Sequence, residues 1–274
     1  MNKIVKKQIL AKNVKLIEVE NKQIADKILP GQFVILRINE TGERIPLTIV
    51  TKDIVAGTIT LVFQEIGKTT ISLGKLEPGD SILDIVGPLG IPTEIKKHGS
   101  PVVIVSGGVG TAEVLPVAKS LKEQGNKIIT ILGARNKELL IFENELKSCS
   151  DKFYVITDDG SYGEKGLVTD ILKKLISSGT EISMIYAVGP IPMMYAVSEL
   201  TRQHKIHTMV SLNPVMVDGT GMCGSCRITI GNETKCACVD GPEFDGHLVD
   251  WKELAQRIKL FTNQEKVSLS IIQS

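Results

Sequence analysis

The sequence predicts a multi-domain β plus α/β protein, in which an N-terminal antiparallel β-barrel precedes a Rossmann-like parallel α/β domain and a small C-terminal cysteine-rich segment. Three observations support this prediction. Short apolar runs separated by turns fill the first 98 positions, strand-length and helix-length segments alternate from 99 to 213, and four cysteines cluster after 214. We therefore expect a barrel domain at 1–98, a nucleotide-binding domain at 99–213 and a cluster-binding segment at 214–274.

Composition gives no sign of nucleic acid or a membrane as partner. Of the 274 residues, 42% are hydrophobic, and 32 basic residues oppose 31 acidic ones for a formal charge of +1. A balanced charge provides no footprint for nucleic acid or anionic lipid, and an aromatic content of 4% provides few surfaces for base stacking. No apolar run approaches the roughly 20 residues of a membrane helix, and the lysine-rich start lacks the apolar region of a signal peptide. We expect a soluble cytoplasmic protein.

The first 98 residues carry the pattern of a small antiparallel barrel. Four apolar runs have the length of strands and are separated by turns that contain glycine or proline: Phe33–Leu36, Leu47–Val50, Ile59–Phe63 and Ser81–Val86. Short strands at this spacing are typical of small all-β barrels.

From residue 99 the pattern alternates between strand and helix, which predicts a parallel sheet covered by helices. Pro101–Val105 is a β-branched run, as expected of a strand that is buried on both faces, and a helical segment at Ala112–Gln124 follows a glycine turn. The later predicted elements are strands at Ile128–Leu132, Phe153–Ile156 and Met184–Val188, and helices at Val168–Ser177 and Asp250–Lys259.

The glycine turn between the first strand and the first helix of this domain is the candidate nucleotide site. Glycines at such a turn let the phosphates of a dinucleotide approach the backbone at the helix N-terminus. The predicted contacts are Gly107, Gly108, Gly110, Thr111 and Ala112. The spacing is not a strict G-x-G-x-x-G, and a bare glycine turn is the alternative.

Further nucleotide contacts are expected where other strands end, because ligands of open α/β sheets bind at the carboxyl edge. The candidates are Arg135, Asp159, Gly160, Gly189, Pro190 and Met193; for Asp159 a solvated acidic turn is an equal alternative. The loop Gly133–Lys137 has no acidic residue to hold a ribose 2′-hydroxyl, and its basic residues could favour a 2′-phosphate. Residue chemistry alone therefore leaves the choice between NADH and NADPH open, and we expect NAD(H) as cofactor with NADP(H) not excluded.

Four of the five cysteines crowd into sixteen positions: Cys223, Cys226, Cys236 and Cys238. In a chain without secretory features, such crowding indicates metal ligation before disulfides. Plant-type [2Fe–2S] proteins use C-x4-C-x2-C followed by a distant cysteine. Here Cys223 and Cys226 supply the C-x2-C, and Asp218 occupies the position of the first cysteine. A carboxylate can ligate iron as a harder, poorer donor than a thiolate.

Two other interpretations of the cysteines stay open at this point. A four-cysteine zinc site fits the first C-x2-C, although the C-x-C at Cys236 and Cys238 is a poor match to zinc spacing. A redox-active dithiol at Cys223 and Cys226 lies far from the start of a thioredoxin-like βαβ unit. Cys149 stands apart and is interpreted as an incidental thiol.

Two weaker patterns in the barrel region indicate a flavin. Arg44 and Thr48 lie at the start of a predicted strand, where a guanidinium can bind a diphosphate and a hydroxyl can reach the isoalloxazine edge. Gly67, Thr69 and Thr70 begin a segment whose amides could cradle the diphosphate at a helix N-terminus. Exposed polar residues and an ordinary helix N-cap explain these patterns at least as well when each is taken alone.

The order of barrel, nucleotide domain and cysteine segment resembles the ferredoxin-NADP reductase superfamily over essentially the whole chain. The most similar branch holds dihydroorotate dehydrogenase electron-transfer subunits and sulfide dehydrogenase-like subunits. The segments Asp218–Cys226 and Cys238–His247 resemble the small subunits of NADH-dependent reduced ferredoxin:NADP+ oxidoreductases. This resemblance implies that the cluster ligands are Asp218, Cys223, Cys226 and Cys238, with Cys236 left outside.

The resemblance also implies FAD in the barrel. Pro46, Leu47 and Thr48 take the place of the family's Arg-x-Tyr-Ser/Thr motif, while Arg44 sits one residue earlier than in that motif and Thr69 replaces a glycine of the phosphate cradle. The full flavin-binding prediction comprises Arg44, Pro46, Leu47, Thr48, Val62, Phe63, Gln64, Gly67, Thr69 and Thr70.

The same resemblance implies a partner and an activity. The partner is a larger subunit, similar to the glutamate synthase small subunit, that carries another FAD and [4Fe–4S] clusters, and the pair would couple NADH, NADPH and ferredoxin by flavin-based electron bifurcation. No side chain need act as acid or base, because FAD and the cluster carry the chemistry. The alternatives are the electron-transfer subunit of NAD-dependent dihydroorotate dehydrogenase, a sulfide dehydrogenase, and a non-catalytic zinc-binding module.

Overall fold

The computed structural model describes residues 2–273, with side chains described as far as Ser270. The chain divides into two compact units. The first comprises the residues up to Pro92, Asn213–Pro242 and the residues from Asp250 onward; the second comprises Thr93–Leu212 and Glu243–Val249. The domain boundaries near 98/99 and 213/214 remain sequence predictions.

The first unit contains a seven-stranded antiparallel sheet. Its strands are β1 (Asn2–Ala11), β2 (Val14–Glu20), β3 (Phe33–Arg37), β4 (Arg44–Asp53), β5 (Thr58–Gln64), β6 (Ser81–Ile82) and β7 (Asp84–Leu89). Their order is β6-β1-β2-β5-β4-β3-β7, a nearly closed barrel sheet, which confirms the predicted barrel. Two short helices, α1 (Lys22–Ala25) and α2 (Lys68–Lys75), lie between its strands in the chain.

The barrel encloses an aliphatic core because the strands are rich in Ile, Leu and Val at inward positions. Ile59, Leu61 and Phe63 alternate along β5 and are fully buried or nearly so. β5 pairs with β2 along its whole length but with β4 only from Thr58 to Leu61. The backbone of residues 62–64 therefore has a strand neighbour on one side only.

The second unit is a parallel sheet with one antiparallel edge. Its strands are β8 (Val102–Gly107), β9 (Ile128–Ala134), β10 (Lys152–Thr157), β11 (Glu164–Lys165), β12 (Met184–Val188), β13 (Thr208–Ser211) and, after two further strands of the chain, β16 (Glu243–Asp245). Their order is β11-β10-β9-β8-β12-β13-β16, and only β16 runs antiparallel to its neighbour.

Helices connect the parallel strands as predicted. They are α3 (Gly110–Glu123), α4 (Glu143–Ser148), α5 (Val168–Ser177) and α6 (Ile191–Gln203), with a 3₁₀ turn at Lys137–Leu139. Every residue of β8, β9 and β12 is buried, which explains why these segments are continuous apolar runs in the sequence. The predicted α/β domain is confirmed.

The C-terminal part of the first unit contains a small hairpin and three helices. The hairpin consists of β14 (Arg227–Ile230) and β15 (Glu233–Cys236), and the helices are α7 (Ala237–Asp240), α8 (Trp251–Ile258) and α9 (Thr262–Gln273). Asp250 caps α8 by accepting a hydrogen bond from the amide of Glu253 at 2.9 Å, as expected of an aspartate just before a helix.

Two isoleucines near one β-hairpin test where the barrel derives its stability. Ile59 in β5 is 0% exposed, whereas Ile54 in the turn before it is 52% exposed. Ile59→Ala should lower the free energy of unfolding by about 2–5 kcal/mol, because it leaves a cavity, and Ile54→Ala should change it by roughly 0.5 kcal/mol or less. Chemical denaturation of both variants measures the difference, and equal losses would show that the barrel core is not packed as described.

Candidate cofactor and nucleotide sites

The loop between Asp218 and Cys226 is organised around the Asp218 carboxylate. One oxygen of Asp218 accepts a hydrogen bond from the Thr220 amide at 2.8 Å, and the other accepts one from the Cys223 amide at 3.0 Å. The bond from Thr220, followed by those from Cys223, lowers the pKa of Asp218 and keeps the carboxylate charged. The carboxylate and the Cys223 side chain are thereby held at the same turn.

Glycine is required at position 219 of this loop. Gly219 has a φ of +78°, and an added Cβ would lie 2.6 Å from Leu89 Cδ1. Any other residue at this position would have a strained backbone, and its side chain would overlap Leu89. The glycine therefore lets the ligand loop pack closely on the barrel strand β7.

The register of the hairpin brings Cys226 and Cys238 together. Arg227 pairs with Cys236 across the hairpin, and the Ala237 amide donates a hydrogen bond to the Cys226 carbonyl at 3.1 Å. As a result the sulfurs of Cys226 and Cys238, both 1% exposed, lie 3.3 Å apart. The Cys236 sulfur lies 3.8 Å from the Gly221 carbonyl oxygen, and burial, with a contribution from the nearby Cys226 thiol, raises the pKa of Cys236.

The local electrostatics differ among these thiols. Burial, together with the neighbouring Cys226 thiol, raises the pKa of Cys238 to about 12, so that without a bound cation this sulfur stays protonated. Cys223 is exposed, and its sulfur lies 3.1 Å from the Ser225 hydroxyl. That contact lowers the pKa of Cys223. A bound metal stabilises thiolates and would satisfy the buried pair.

The predicted ligands thus form two pairs, Asp218 with Cys223 and Cys226 with Cys238. Within the described residues, no group of three or more His, Cys, Asp or Glu side chains converges as a single metal ion would require. A structural zinc site needs four ligands around one ion, whereas each iron of a [2Fe–2S] cluster takes two protein ligands. The residues fit a two-iron cluster better than zinc.

The turn between β8 and α3 has the properties of a phosphate-binding site. Ser106 at the end of β8 is 0% exposed and Thr111 in the first turn of α3 is 1% exposed, yet neither hydroxyl has a hydrogen-bond partner among the described residues. Buried hydroxyls are nearly always satisfied in proteins. An anion at the N-terminus of the 14-residue helix α3 would satisfy both.

Strand pairing places a second predicted turn beside this one. Val188 of β12 pairs with Ser106 of β8, so that Gly189 and Pro190 follow at the same edge as Gly107. Space at this edge is limited: an added Cβ on Gly110 would lie 2.6 Å from the Val188 carbonyl oxygen, and one on Gly189 would lie 2.6 Å from Met193 Cε. The structure brings these predicted nucleotide residues together.

The loops after β9 and β10 also meet. The Asp159 amide donates to the Arg135 carbonyl at 3.2 Å, and the Lys137 amide donates to the Ser161 hydroxyl at 2.8 Å. Asp159 itself accepts a hydrogen bond from the Ser161 amide, so part of its carboxylate is used within its own turn. Arg135 and Asp159 therefore lie at one corner of the carboxyl edge, as the sequence predicts.

Two residues of this edge are absent from the predicted contacts. Ser106 ends an otherwise β-branched strand, and this polar residue inside an apolar run was the available signal. The Asn136 side-chain oxygen is buried without a partner among the described residues, and no sequence pattern marks it. Both supply hydrogen-bonding groups where a dinucleotide is predicted.

The predicted flavin residues occupy β4, β5 and the start of α2. Arg44 is exposed and forms no ion pair with the described side chains, whereas Arg37, opposite it on β3, binds Asp84. Pro46, Leu47 and Thr48 pair with β3 at Ile35, Val34 and Phe33. The guanidinium of Arg44 is thus available to a diphosphate.

Three further flavin candidates follow the end of the β4–β5 pairing. Val62 and Phe63 are 5% and 1% exposed. Phe63 belongs to the barrel core, whereas the alternation along β5 turns the Val62 side chain to the other face of the sheet. Gln64 is half-buried at the end of β5. These contacts remain predictions, and the unpaired side of residues 62–64 is compatible with them.

The start of α2 departs from a simple phosphate cradle. The Thr70 hydroxyl accepts hydrogen bonds from the amides of Ile66 and Gly67, which uses two of the amides at this turn. The Thr69 hydroxyl donates to Glu43 at 2.9 Å. The amides of the first helical residues, 68–70, have no intrahelical acceptor and remain suited to a diphosphate.

A barrel with an available arginine, a parallel sheet with an unsatisfied phosphate turn, and a loop with two ligand pairs define a modular electron-transfer oxidoreductase. The comparisons with known proteins agree. Residues 104–199 match the oxidoreductase NAD-binding domain, and residues 213–250 match the iron–sulfur cluster binding domain of dihydroorotate dehydrogenase B. The chain belongs to the family of dihydroorotate dehydrogenase B electron transfer subunits and their homologues.

Individual relatives cover nearly the whole chain. A dihydroorotate dehydrogenase B (NAD(+)) electron transfer subunit homolog from Thermotoga maritima is 47% identical over 98% of this chain and 94% of its own length. The electron transfer subunit of Bacillus caldolyticus is 31% identical over 88% of this chain and 94% of its own length.

Among solved structures, a chain of the NADH-dependent reduced ferredoxin-NADP oxidoreductase, studied for flavin-based electron bifurcation, is 46% identical with a TM-score of 0.94. The match covers 100% of this chain and 98% of that chain. A cytochrome P450 reductase from Amycolatopsis shares the fold at 18% identity, with a TM-score of 0.62 over 76% of this chain and 68% of its own.

The predicted cofactor classes, FAD, a nicotinamide dinucleotide and an iron–sulfur cluster, are confirmed. None of the described helices has the length and apolarity needed to cross a bilayer.

Two glycine substitutions test the nucleotide site. Gly110→Ala should raise the dissociation constant for NADH by about tenfold or more, because the added methyl would meet the Val188 carbonyl, which β12 holds in place. Gly99→Ala is the matched control, since an added Cβ there meets nothing within 4 Å. Titration of NADH by calorimetry measures both variants, and unchanged affinity in Gly110→Ala would place the nucleotide elsewhere.

Proposed function

We propose that the chain passes electrons between NAD(H), FAD and a [2Fe–2S] cluster as a subunit of a flavin-based electron-bifurcating NADH/NADPH/ferredoxin oxidoreductase complex. The observation that carries this proposal is the pairing of Asp218 with Cys223 and of Cys226 with Cys238. It supports two iron positions, one with a carboxylate ligand, in the segment that resembles the small subunits of such complexes. The proposed electron transfer depends on this segment together with the NAD-binding domain.

The nucleotide unit binds and orients the dinucleotide. Ser106 and Thr111 donate hydrogen bonds to its phosphates at the start of α3, and Gly107 and Gly110 permit close approach of the backbone. Gly189 and Pro190 limit the space beside it at the end of β12. In this proposal no residue of the unit exchanges a proton with the nicotinamide.

The barrel holds the flavin through Arg44, the strand β4 around Thr48 and the amides at the start of α2. Bound FAD supplies the conversion between two-electron hydride transfer and single-electron transfer, which neither a nicotinamide nor an iron–sulfur cluster provides alone. The protein contributes placement and exclusion of water, and its side chains take no covalent part.

The cluster loop adjusts the cluster through ligand type and hydrogen bonds. A carboxylate is a harder and poorer donor than thiolate, so Asp218 as a ligand would shift the reduction potential relative to an all-cysteine cluster. The small residues Gly219, Gly221 and Gly224 let backbone amides approach the cluster sulfides, which tunes the potential further.

The electrons then leave to a partner protein. We infer a larger subunit with its own flavin and [4Fe–4S] clusters, and through it ferredoxin, because a 46% identical chain comes from an NADH-dependent reduced ferredoxin-NADP oxidoreductase. The choice of NADH over NADPH at this chain is part of the same proposal.

The second candidate is the electron transfer subunit of an NAD-dependent dihydroorotate dehydrogenase. The names of several relatives favour it, whereas Asp218, in the place of the first cysteine, favours the bifurcating complex. Purified native complex decides between them: rapid oxidation of NADH by orotate would support the dehydrogenase and overturn the proposal.

A substitution series at Asp218 tests the proposed ligand set. Asp218→Cys should keep two irons per chain, the content of a [2Fe–2S] centre, because a thiolate also ligates iron. Asp218→Asn should lose most of its iron, and its single amide oxygen can accept only one of the two hydrogen bonds, since Thr220 and Cys223 donate to different carboxylate oxygens. Iron analysis and the visible absorption of anaerobically purified protein measure both.

The cysteines provide the control for this series. Cys226→Ala should lose the cluster, and Cys236→Ala should retain it. Full iron content in Asp218→Asn would show that Asp218 only stabilises the turn, and loss of iron in Cys236→Ala would exchange the roles of Cys236 and Cys238.

A further inference from the structure

A buried glutamate joins three separate segments of the nucleotide unit. Glu243, the first residue of β16, accepts hydrogen bonds from the Thr93 hydroxyl and the Tyr186 hydroxyl, both at 2.5 Å on the same carboxyl oxygen. Tyr186 lies in β12 and is 1% exposed, and Thr93 is 9% exposed. Neither the predicted cofactor contacts nor the cluster ligands include any of these residues.

The positions of these residues in the chain are unusual. Thr93 is the first residue of the second unit after the barrel, and Glu243 is the first residue of that unit after the cluster-bearing segment. One hydrogen bond therefore ties together two places where the chain passes from one unit to the other. Just before both crossings, within the first unit, the Ile91 amide donates to the Gly241 carbonyl at 2.6 Å.

Tyr186 connects this junction to the nucleotide edge. It lies two residues before Val188 in a strand that is buried throughout, and Val188 leads directly into Gly189 and Pro190. A shift of β12 along its axis would move those residues too, because a buried strand transmits displacement. The glutamate thus holds the strand that ends at the predicted nucleotide-binding edge.

The surroundings shift the pKa values of Glu243 and Tyr186. Burial raises the pKa of Glu243 and outweighs the bonds from Thr93 and Tyr186, which alone would lower it. Burial, and then the charge of Glu243, raises the pKa of Tyr186 well above its ordinary value. The neighbouring cleft, of about 290 Å³, is lined by the ionisable groups Glu94, Lys96, His98, Tyr186, His207 and Glu243, and Glu113 of α3 faces Tyr186.

None of the cleft's basic groups neutralises Glu243 through a described contact. Lys96 binds Glu94 at 2.8 Å. The buried ring nitrogen Nε2 of His98 has no partner among the described residues, and burial lowers the pKa of His98. The junction therefore depends on hydrogen bonds from hydroxyl groups instead of an ion pair.

We propose that Glu243 is a positioning residue that fastens the chain connections at Thr93 and Glu243 to β12, so that the nucleotide-binding edge is held steady for hydride transfer. The expected effect on turnover rests on the proposed function, whereas the hydrogen-bonded junction of Thr93, Glu243 and Tyr186 does not depend on it. Its partners Thr93 and Tyr186 act only through it.

The test removes each hydrogen bond separately in the full-length protein loaded with its cofactors. Thr93→Val and Tyr186→Phe should each raise the amide hydrogen-exchange rate of residues 91–94 and 243–246 about fivefold, the effect expected for one lost hydrogen bond. Glu243→Gln, whose amide oxygen can accept from both hydroxyls because both bind the same carboxyl oxygen, should stay within about twofold of wild type. Glu94→Gln, exposed in the same cleft, is the matched control and should change nothing.

Turnover gives the second readout. With NADH and ferricyanide, the Thr93→Val and Tyr186→Phe variants should lose about threefold or more in kcat with KM for NADH nearly unchanged, since an effect on presentation alone appears in kcat. Unchanged exchange in both variants would overturn the fastening, and changed exchange with unchanged kcat would overturn its role in positioning. Failure of the wild type to oxidise NADH would instead count against the proposed function, and the exchange result would still stand.

The buried carboxyl also predicts a pH dependence of stability. Because the pKa of Glu243 is raised in the folded protein, its favourable contribution is complete below its ordinary value of 4.5 and declines as pH rises towards the raised pKa. Glu243→Gln replaces the titrating carboxyl with an amide that does not titrate. The melting temperature of the variant minus that of wild type should therefore be larger at pH 8 than at pH 5. A constant difference over that range would show that Glu243 is ionised in the folded protein.

Discussion

Two buried thiols, 3.3 Å apart, determine what the C-terminal segment can be. The hairpin register and the bond between Ala237 and Cys226 force the sulfurs of Cys226 and Cys238 together, where deprotonation without a cation is unfavourable. An iron ion relieves this cost, so cluster assembly and folding of the segment are thermodynamically coupled. In the proposed ligand set, the half-buried Asp218 and the exposed Cys223 would supply the other two ligands from a loop already ordered by the carboxylate.

The nucleotide edge also contains buried polar groups that a ligand would stabilise, here through hydrogen bonds instead of metal–thiolate bonds. Ser106 and Thr111 are buried hydroxyls without described partners, and such groups cost free energy until a ligand satisfies them. The tight glycines around them exclude side chains but admit phosphate oxygens. Both candidate sites therefore contain polar groups that the fold places without giving them a described partner.

The sequence predicted the fold where a pattern is local. The runs that became β8, β9 and β12 are apolar because both faces are buried, and α5 begins and ends at the predicted residues because its amphipathic period is regular. The candidate site was predicted as far as chemistry-bearing residues are adjacent, as in Gly107–Ala112 and Asp218–Cys226. The joint role of Cys226 and Cys238 came only from the family resemblance. A contact that depends on long-range register was not predictable from local pattern: Glu243 lies in a three-residue strand that follows a proline and pairs with a strand more than 30 residues earlier.

The late position of β16 in the chain has a consequence for biosynthesis. Until residues 243–245 emerge from the ribosome, β13 is an open sheet edge, and open edges invite pairing with other chains. The parallel sheet is finished only after the cysteine segment has been translated, although that segment belongs to the other unit. A nascent chain that stops at residue 212 would carry the whole phosphate turn and yet be prone to self-association, so the order of translation obliges the iron-binding segment to be made before the dinucleotide domain is closed.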